Sequence, residues 1–182
     1  IQNLISAAKN NALSPEQAAE AARSGREREA AGIYARYQAR LQAYNAVDFD
    51  DLIRLPLTLL EADADLAAGW RERLRYLLVD ECQDTNGAQY RLLKQLAGLK
   101  GNMTCVGDDD QSIYAWRGAQ PENLDQLATD YPNLKVVKLE QNYRCTARIL
   151  RCANTLIEKN PHAHPKKLWS QHGDGEPVRV WE

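Results

Sequence analysis

A short apolar run that ends in two adjacent carboxylates is the feature that most limits how this chain can fold. Leu77, Leu78 and Val79 are followed directly by Asp80 and Glu81. A run this short and apolar predicts a buried strand, and charges at its end fall at the carboxyl edge of a parallel sheet, where α/β folds bind ligands. A solvated strand end would give the same pattern, so the pair alone leaves both interpretations open.

A second strand-like segment, residues 103–106, also ends in acids, in the sequence Gly107-Asp108-Asp109-Asp110-Gln111. Residues 87–99, between the two segments, have the pattern of a helix. This order predicts a βαβ unit, whose parallel strands bring their acidic ends side by side. Paired acids at such an edge are typical of sites that hold Mg²⁺ and polarise a water molecule for nucleotide hydrolysis.

Two aromatic residues and a cation follow these acids at Tyr114, Trp116 and Arg117. Such a trio can form a platform on which unpaired bases stack, with about 1–3 kcal/mol per base and a charge contact from the arginine. A hydrophobic plug in a loop is the alternative. The three residues alone do not decide between the two interpretations.

A third strand-like segment, residues 136–139, leads into a Tyr143-Arg144 pair. The spacing of apolar residues then predicts a helix over residues 146–159, and residues 178–181 predict one further strand. A Tyr-Arg pair at a strand-to-helix turn can stack on a purine and reach a phosphate. This segment therefore suggests a second contact for a nucleotide.

Together the segments resemble a known family. LLVDECQDTN (residues 77–86), CVGDDDQSIYAWRGA (residues 105–119) and LEQNYRC (residues 139–145) are similar to the second, third and fourth conserved motifs of UvrD/Rep/PcrA-type superfamily 1 DNA helicases, with the Rep branch the most similar. Three long motifs in the same order and spacing make the resemblance highly specific. It extends from about residue 48 to the end of the chain.

The resemblance implies a site for ATP and Mg²⁺. It implies that Asp80 holds the Mg²⁺ bound to ATP and that Glu81, beside the same ion, is the catalytic base for water. Gln111 would sense the γ-phosphate. Tyr143 would stack against adenine, and Arg144 would be an arginine finger, a group worth about 10³–10⁵ in rate.

For DNA, the resemblance implies that Tyr114 and Trp116 stack on single-stranded bases. Arg117 would link the DNA site to the ATP site. Gln83 and Asp84, which complete the acidic motif, would help to couple the two sites. Cys82 departs mildly from the aromatic or other residue that the family often has at this position, a difference that leaves this chemistry intact.

The fold that the resemblance implies is α/β, an incomplete RecA-like P-loop NTPase motor core with a parallel sheet and flanking helices. We expect residues 1–47 to be part of an inserted helical subdomain and residues 48–120 to be the C-terminal part of the first motor domain. Residues 121–134 would be a connection, and residues 135–182 the start of the second motor domain.

The sequence contains no G-x-x-x-x-G-K-[ST] loop, which cradles the phosphates in nucleotide hydrolases of this type. The later motifs of the family are not found either. We therefore expect an internal fragment of a larger helicase. We expect the fragment by itself to lack appreciable ATPase activity, because Mg²⁺ ligands do not replace the electrostatics of that loop.

For the parent protein, the resemblance implies an ATP-dependent 3′-to-5′ helicase that moves along single-stranded DNA and unwinds forked duplex DNA in replication and repair. The direction comes from the resemblance alone. It further implies a bacterial protein of the cytoplasm and nucleoid, with replication and repair proteins as candidate partners. A non-catalytic module that docks protein or DNA is the alternative, and the joint presence of Glu81, Gln111 and Arg144 favours the enzyme.

Composition limits the remaining possibilities. The formal net charge of −2 excludes a globally basic nucleic-acid binder but leaves room for a local DNA track. No apolar run approaches the length of a membrane span. The cysteines lack C-x-x-C spacing, which favours reduced thiols over disulfides or zinc. Three histidines can together indicate a metal site, but their proline-rich surroundings favour a loop; they are His162, His164 and His172.

The N-terminal part of the sequence predicts helices. Ser14, Pro15 and Gln17 have the pattern of an N-cap, a first helical residue and a capping box. A longer helix after Gly25 should bury one apolar face, formed by Ala30, Ile33, Tyr37, Leu41 and Tyr44. Its arginines fit a solvated face or a contact with duplex DNA. Another helix should begin near Asp48, with Phe49 in the core rather than in a DNA contact.

Overall fold

The computed structural model describes residues 1–160 and 165–181 and divides into two units, Ile1–Tyr131 and Pro132–Glu182. The first unit contains two strands, β1 (Leu77–Val79) and β2 (Met103–Cys105), and seven helices in its described residues, α1 (Gln2–Asn10), α2 (Pro15–Ala21), α3 (Gly25–Ala43), α4 (Asp51–Ala62), α5 (Ala64–Arg73), α6 (Gly87–Ala97) and α7 (Glu122–Asp130). The second unit contains α8 (Ala147–Ile157).

The predicted βαβ unit is confirmed. β1 and β2 are parallel, with Leu77 opposite Met103 and Val79 opposite Cys105, and α6 makes the connection between them. Backbone bonds continue the pairing beyond the strands, because the Val106 amide donates to the Val79 carbonyl at 2.8 Å. The two acidic segments therefore leave the sheet side by side, as the sequence predicts.

The expectation that β1 is a buried strand is wrong for one of its faces. Its inner face packs on a core that includes Cys82, Tyr90 and Leu127. Leu78, on the opposite face, is 81% exposed. Side chains alternate along a strand, so a layer of helices on one side covers only every second residue.

Serine residues cap the N-terminal ends of helices α2 and α3. Ser14 accepts from the Gln17 amide and begins α2 with the predicted capping box, and Ser24 with Glu27 repeats this arrangement at α3. The predicted buried face of α3 is partly wrong. Tyr34, which was not predicted, is fully buried and donates to the Leu13 carbonyl at 3.1 Å.

The helices that neighbour α3 explain why a different face is buried. The helix packs against α1 and α2 through Ala30, Ala31 and Tyr34, a face rotated by about one residue from the predicted one. Tyr37 and Tyr44, both expected in the core, are exposed.

Strand predictions in the second unit are wrong. Residues 136–139 and 178–181 have no regular secondary structure, and their apolar side chains are exposed. A strand needs a hydrogen-bonded neighbour. Among the described residues of this unit the only bridge is a single parallel pair, Gln141 with Trp169. The predicted helix is confirmed as α8, with Leu150 its buried residue.

The structure thus confirms a mixed fold of helices around a small parallel sheet. No helix in the described part of the chain is long and apolar enough to span a membrane. The four cysteines are free thiols, as predicted, although Cys152 is exposed. His162 and His164 lie outside the described residues.

Candidate functional site

Asp80 and Glu81 lie at the carboxyl end of β1, and both are exposed. Glu81 has φ 50° and ψ 44°, a left-handed conformation that is uncommon for a residue other than glycine. Conformations of this kind cost about 1–3 kcal/mol and concentrate at functional sites. Glu81 is the N-cap residue of the short helical turn Cys82–Asp84 that follows.

Gln83 joins the two acidic segments. Its side chain is 1% exposed, its Nε2 donates to Glu81 Oε2 at 2.7 Å, and its Oε1 accepts from the Asp108 amide at 3.1 Å. Both ends of the amide are therefore engaged. A movement of one acidic segment must be transmitted to the other or break one of these bonds.

The second acidic segment is ordered by Asp108. Its carboxylate accepts from the Asp110 amide at 3.1 Å and from Gln111 Nε2 at 2.8 Å. Carboxylate atoms of Asp108, Asp109 and Asp110 lie within 4.8 Å of one another. Carboxylates are the ligands that Mg²⁺ prefers, so the acids at both strand ends have the right chemistry for a hard cation.

The predicted aromatic trio forms one exposed cluster. The ring centroids of Tyr114 and Trp116 lie 6.3 Å apart at an angle of 50°. Arg117 Cζ lies 5.3 Å from the Tyr114 centroid and 4.6 Å from the Trp116 centroid. Trp116 is 75% exposed, which contradicts the alternative of a buried plug.

The trio lines a groove of about 940 Å³ in the first unit. Phe49 and Ile53 add apolar surface, and α1 contributes polar side chains. The prediction of Phe49 as a core residue is wrong, since it is 89% exposed.

Neighbouring carboxylates explain the position of Phe49. Asp48 Oδ1 accepts from the Asp51 amide at 2.9 Å, and Asp50 Oδ2 accepts from Ser6 Oγ at 2.8 Å. These bonds fix the backbone on both sides of Phe49 and leave its ring at the groove. The signal for this in the sequence is the pair of acids, Asp48 and Asp50, that flank Phe49 directly.

In the second unit, Tyr143 and Arg144 are exposed on a turn. Asn142 Oδ1 accepts from the Arg144 amide at 2.9 Å and from the Cys145 amide at 2.7 Å. His172 Nε2 lies 3.0 Å from the Tyr143 carbonyl oxygen, so this histidine is in a loop contact, as predicted. The predicted turn is present before α8, although no strand precedes it.

Two thiols lie beneath the acidic segments. A hydrogen bond with Cys105 lowers the pKa of the buried Cys82 thiol, and the same bond raises the pKa of Cys105. Both pack in the core with Tyr90, whose pKa is raised by burial and by its hydrogen bond to Asp130. This core supports the turn that carries Glu81 and Gln83.

The chain combines a small parallel sheet with acidic strand ends and an aromatic groove, and comparison with known proteins identifies its family. Residues 1–132 match the UvrD/REP helicase N-terminal domain. The chain belongs to this family, and the resemblance seen in the motifs is confirmed. The matched residues coincide with the first unit to within one residue.

Curated relatives agree with this assignment. The chain is 51% identical to the ATP-dependent DNA helicase Rep of Escherichia coli strain K12 over 99% of its length. It is 46% identical to the ATP-dependent DNA helicase PcrA of Leuconostoc citreum and 43% identical to that of Bacillus subtilis strain 168, over the whole chain in both cases. The chain spans about a quarter of the length of these relatives, 27% of Rep and 24% of each PcrA.

Proposed function

We propose that this chain forms part of the motor of an ATP-dependent DNA helicase, which couples ATP hydrolysis to movement along single-stranded DNA and to duplex unwinding. One observation carries the proposal. A groove lined by exposed aromatic rings and an arginine lies in the same unit as two acidic strand ends that the buried Gln83 holds together. The three relatives are named ATP-dependent DNA helicases.

We propose nucleotide-binding roles for residues of the first unit and, separately, for residues of the second. Asp80 would hold Mg²⁺ with Glu81 beside it, and the bound ion would neutralise charge on the phosphates. Glu81 would accept the proton of the attacking water, and Gln111 would contact the γ-phosphate. In the second unit, Tyr143 would stack on adenine and Arg144 would act as the arginine finger. The exposure of all five side chains supports their availability to a ligand.

The DNA site that we propose is the groove. Tyr114 and Trp116 would stack on bases, Arg117 would contribute charge, and Phe49 would provide a further stacking surface. Net charge does not favour general DNA binding, so affinity must come from these local contacts. Affinity should therefore fall as salt rises and should depend on Trp116.

A RecA-like motor core is the fold that best accounts for parallel strands with acidic ends. We propose residues 48–120 as part of a first motor domain, residues 135–182 as part of a second, residues 121–134 as the connection, and residues 1–47 as part of a helical subdomain.

The wider proposals concern the whole protein. They are movement from 3′ to 5′, action on forked DNA with replication and repair proteins, and a place at the bacterial nucleoid in the cytoplasm.

The isolated chain should hydrolyse little ATP, because the sequence lacks the phosphate-cradling loop. Robust hydrolysis by these 182 residues that depends on Glu81 would contradict this expectation.

The decisive experiment measures ATP hydrolysis by the full-length protein that carries this chain, with and without single-stranded DNA. We expect strong stimulation by DNA that is lost in Glu81→Gln and retained in Glu72→Gln, an exposed glutamate on α5. Arg144→Ala should abolish turnover, whereas Arg151→Ala, at an exposed arginine on α8, should not. No hydrolysis in any condition would favour the alternative, a non-catalytic module that docks protein or DNA.

A further inference from the structure

Helix α1 contacts both sides of the groove, although no motif assigns it a role. Asn3, Ser6, Ala7 and Asn10 line the groove together with the aromatic trio and Phe49. The last two residues of α1, Lys9 and Asn10, each bond to one of the segments that present the aromatic rings.

Asn10 joins two segments of the groove. One is the segment that follows the acidic pair, and the other is the aromatic turn, residues 114–117. Its Oδ1 accepts from Asn86 Nδ2 at 3.0 Å, and its Nδ2 donates to the Arg117 carbonyl at 3.4 Å. Asn86 is itself fixed, because it is the N-cap of α6 and its Oδ1 accepts from the Gln89 amide at 2.9 Å. The Asn10 amide is therefore held at one end by a rigid partner and reaches the turn at the other.

The aromatic turn has few other anchors. Residues 115–117 are exposed and form one short helical turn closed by local bonds, such as that from the Arg117 amide to the Tyr114 carbonyl at 2.8 Å. Gly118 follows with φ 88°, and a side chain there would meet Asn10 Nδ2 at 3.4 Å. Asn10 thus packs against Gly118, directly after the aromatic turn. Beyond the turn, the Gln120 amide donates to the Thr85 carbonyl at 2.9 Å.

Lys9 bonds to the opposite side of the groove, where Phe49 lies. Its buried Nζ lies 2.7 Å from Asp48 Oδ2 and 3.0 Å from Asp51 Oδ2, the acids on either side of Phe49 in the chain. Consecutive residues of one helix therefore fix the two aromatic walls of the groove relative to each other. Stacking depends on the spacing and angle of the rings, so this arrangement has a consequence for binding.

We propose that Asn10 is a positioning residue of the groove. It holds the Tyr114–Trp116–Arg117 turn against the segment that follows the acidic pair and so sets the geometry in which bases stack. The proposal rests on the proposed function for the stacking of DNA, but the anchoring of the turn is a property of the protein alone.

The first test needs no DNA. Trypsin cleaves after Arg117 only when the turn opens, so the rate of appearance of that fragment reports on its anchoring. We expect Asn10→Ala to raise the rate about three- to tenfold, the range for one lost hydrogen bond. Asn11→Ala is the matched control, because Asn11 Oδ1 accepts from Gln120 Nε2 at 3.1 Å, outside the turn. Its rate should stay within about twofold of wild type.

A second variant helps to distinguish local opening of the turn from a general loss of structure. Asn10→Asp keeps the oxygen that accepts from Asn86 but loses the donor to Arg117, so it should open the turn as well. Urea unfolding of each variant separates local opening from global unfolding. An unchanged cleavage rate in both Asn10 variants would overturn the proposal.

The second test is a double-mutant cycle on binding of oligo-dT of about 16 nucleotides, a length at the upper end of single-strand site sizes. Asn10→Ala should weaken binding about three- to tenfold in the wild-type chain and by less than about twofold when Trp116→Ala is already present. An equal loss in both backgrounds would mean that Asn10 acts on DNA directly, which overturns positioning. If Trp116→Ala leaves binding unchanged, the proposed DNA groove fails, and the cleavage rates still decide whether Asn10 anchors the turn.

Discussion

At the scale of single residues, the contact between Gly107 and Gln83 shows how closely the two acidic segments fit. A Cβ at position 107 would lie 2.8 Å from Gln83 Oε1 and 3.2 Å from Leu124 Cδ2. Gln83 is buried and bonded at both ends of its amide, so it can move away only by breaking its bonds to Glu81 or Asp108. The glycine is needed here for space and not for a left-handed backbone.

We therefore expect Gly107→Ala to destabilise the protein by about 1–3 kcal/mol, the usual cost of overpacking. Gly32→Ala is the matched control, because a Cβ there meets nothing within 4 Å and position 32 lies inside α3. That change should stabilise by about 0.4–1 kcal/mol. Urea unfolding measures both variants, and equal stability of Gly107→Ala and wild type would contradict the tight fit.

The candidate site residues were readable from the sequence only in part. The acids and the aromatic trio stood out by their chemistry, and Gln83 was a candidate because the family resemblance implied a role for it. Phe49 and Asn10 were missed for opposite reasons. An isolated phenylalanine usually indicates core, and an asparagine at the end of a helix usually indicates a cap, so neither residue type pointed to a groove.

At the scale of elements, a buried ion network joins α1 to the start of α4. Lys9 pairs with Asp48 and Asp51, and Asp51 Oδ1 also accepts from Arg54 Nε at 3.1 Å. The side chains of Lys9 and Asp51 are fully buried. Removing Lys9 from this network leaves the carboxylates of Asp48 and Asp51 with Arg54, which pairs with Asp51 alone, and this imbalance of charge away from water is far more costly than loss of a surface pair.

Lys9→Met should therefore destabilise the protein by about 3–5 kcal/mol. The matched change Arg91→Met removes a cation that pairs with Glu61 at 2.7 Å across α6 and α4, where the side chains are 46% and 33% exposed. It should cost less than about 1 kcal/mol. Comparable losses for the two variants in urea unfolding would show that burial does not set the value of these pairs.

Elements were predicted well where local signals were strong. Capping residues located α2, and apolar runs joined by a helix predicted β1, α6 and β2. The failures at residues 136–139 and 178–181 have one cause. A strand is defined by its neighbour, and the described residues of the second unit pair only Gln141 with Trp169. Apolar alternation can indicate a strand but cannot supply its partner.

At the scale of the whole molecule, acid should weaken the folded state through specific carboxylates. Burial opposes ionisation of Asp51, but hydrogen bonds from Gln38, Lys9 and Arg54 outweigh it and hold its pKa below the usual value. The pKa of Asp130 is lowered in the same way, by bonds from Lys94, Tyr90 and Gln126 that outweigh its burial. A lowered folded-state pKa adds stability above the unfolded-state pKa, and that stability is lost as pH falls.

We expect unfolding free energy to fall steeply below about pH 4, where unfolded aspartate begins to bind protons before the folded protein does. Asp130→Asn should flatten this fall, because one of the responsible carboxyls is gone. Urea unfolding between about pH 3 and pH 7 measures the effect. The same slope in wild type and Asp130→Asn would contradict the assignment.

The central claim concerns the groove, and one binding measurement tests it most directly. The chain carries two comparable Trp-Arg pairs in its first unit. Trp116 is 75% exposed with Arg117 Cζ at 4.6 Å from its ring, and Trp70 is 41% exposed with Arg73 Cζ at 5.1 Å. Trp116 and Arg117 line the groove, whereas Trp70 and Arg73 do not.

We would measure binding of oligo-dT to the wild-type chain, Trp116→Ala and Trp70→Ala over a range of salt concentrations. The account predicts that affinity falls with salt and that Trp116→Ala weakens it by about 5- to 150-fold, equivalent to about 1–3 kcal/mol for one stacked base. Trp70→Ala should bind as wild type does. Equal losses in the two variants, or no loss in Trp116→Ala, would contradict the claim that this groove is the DNA site.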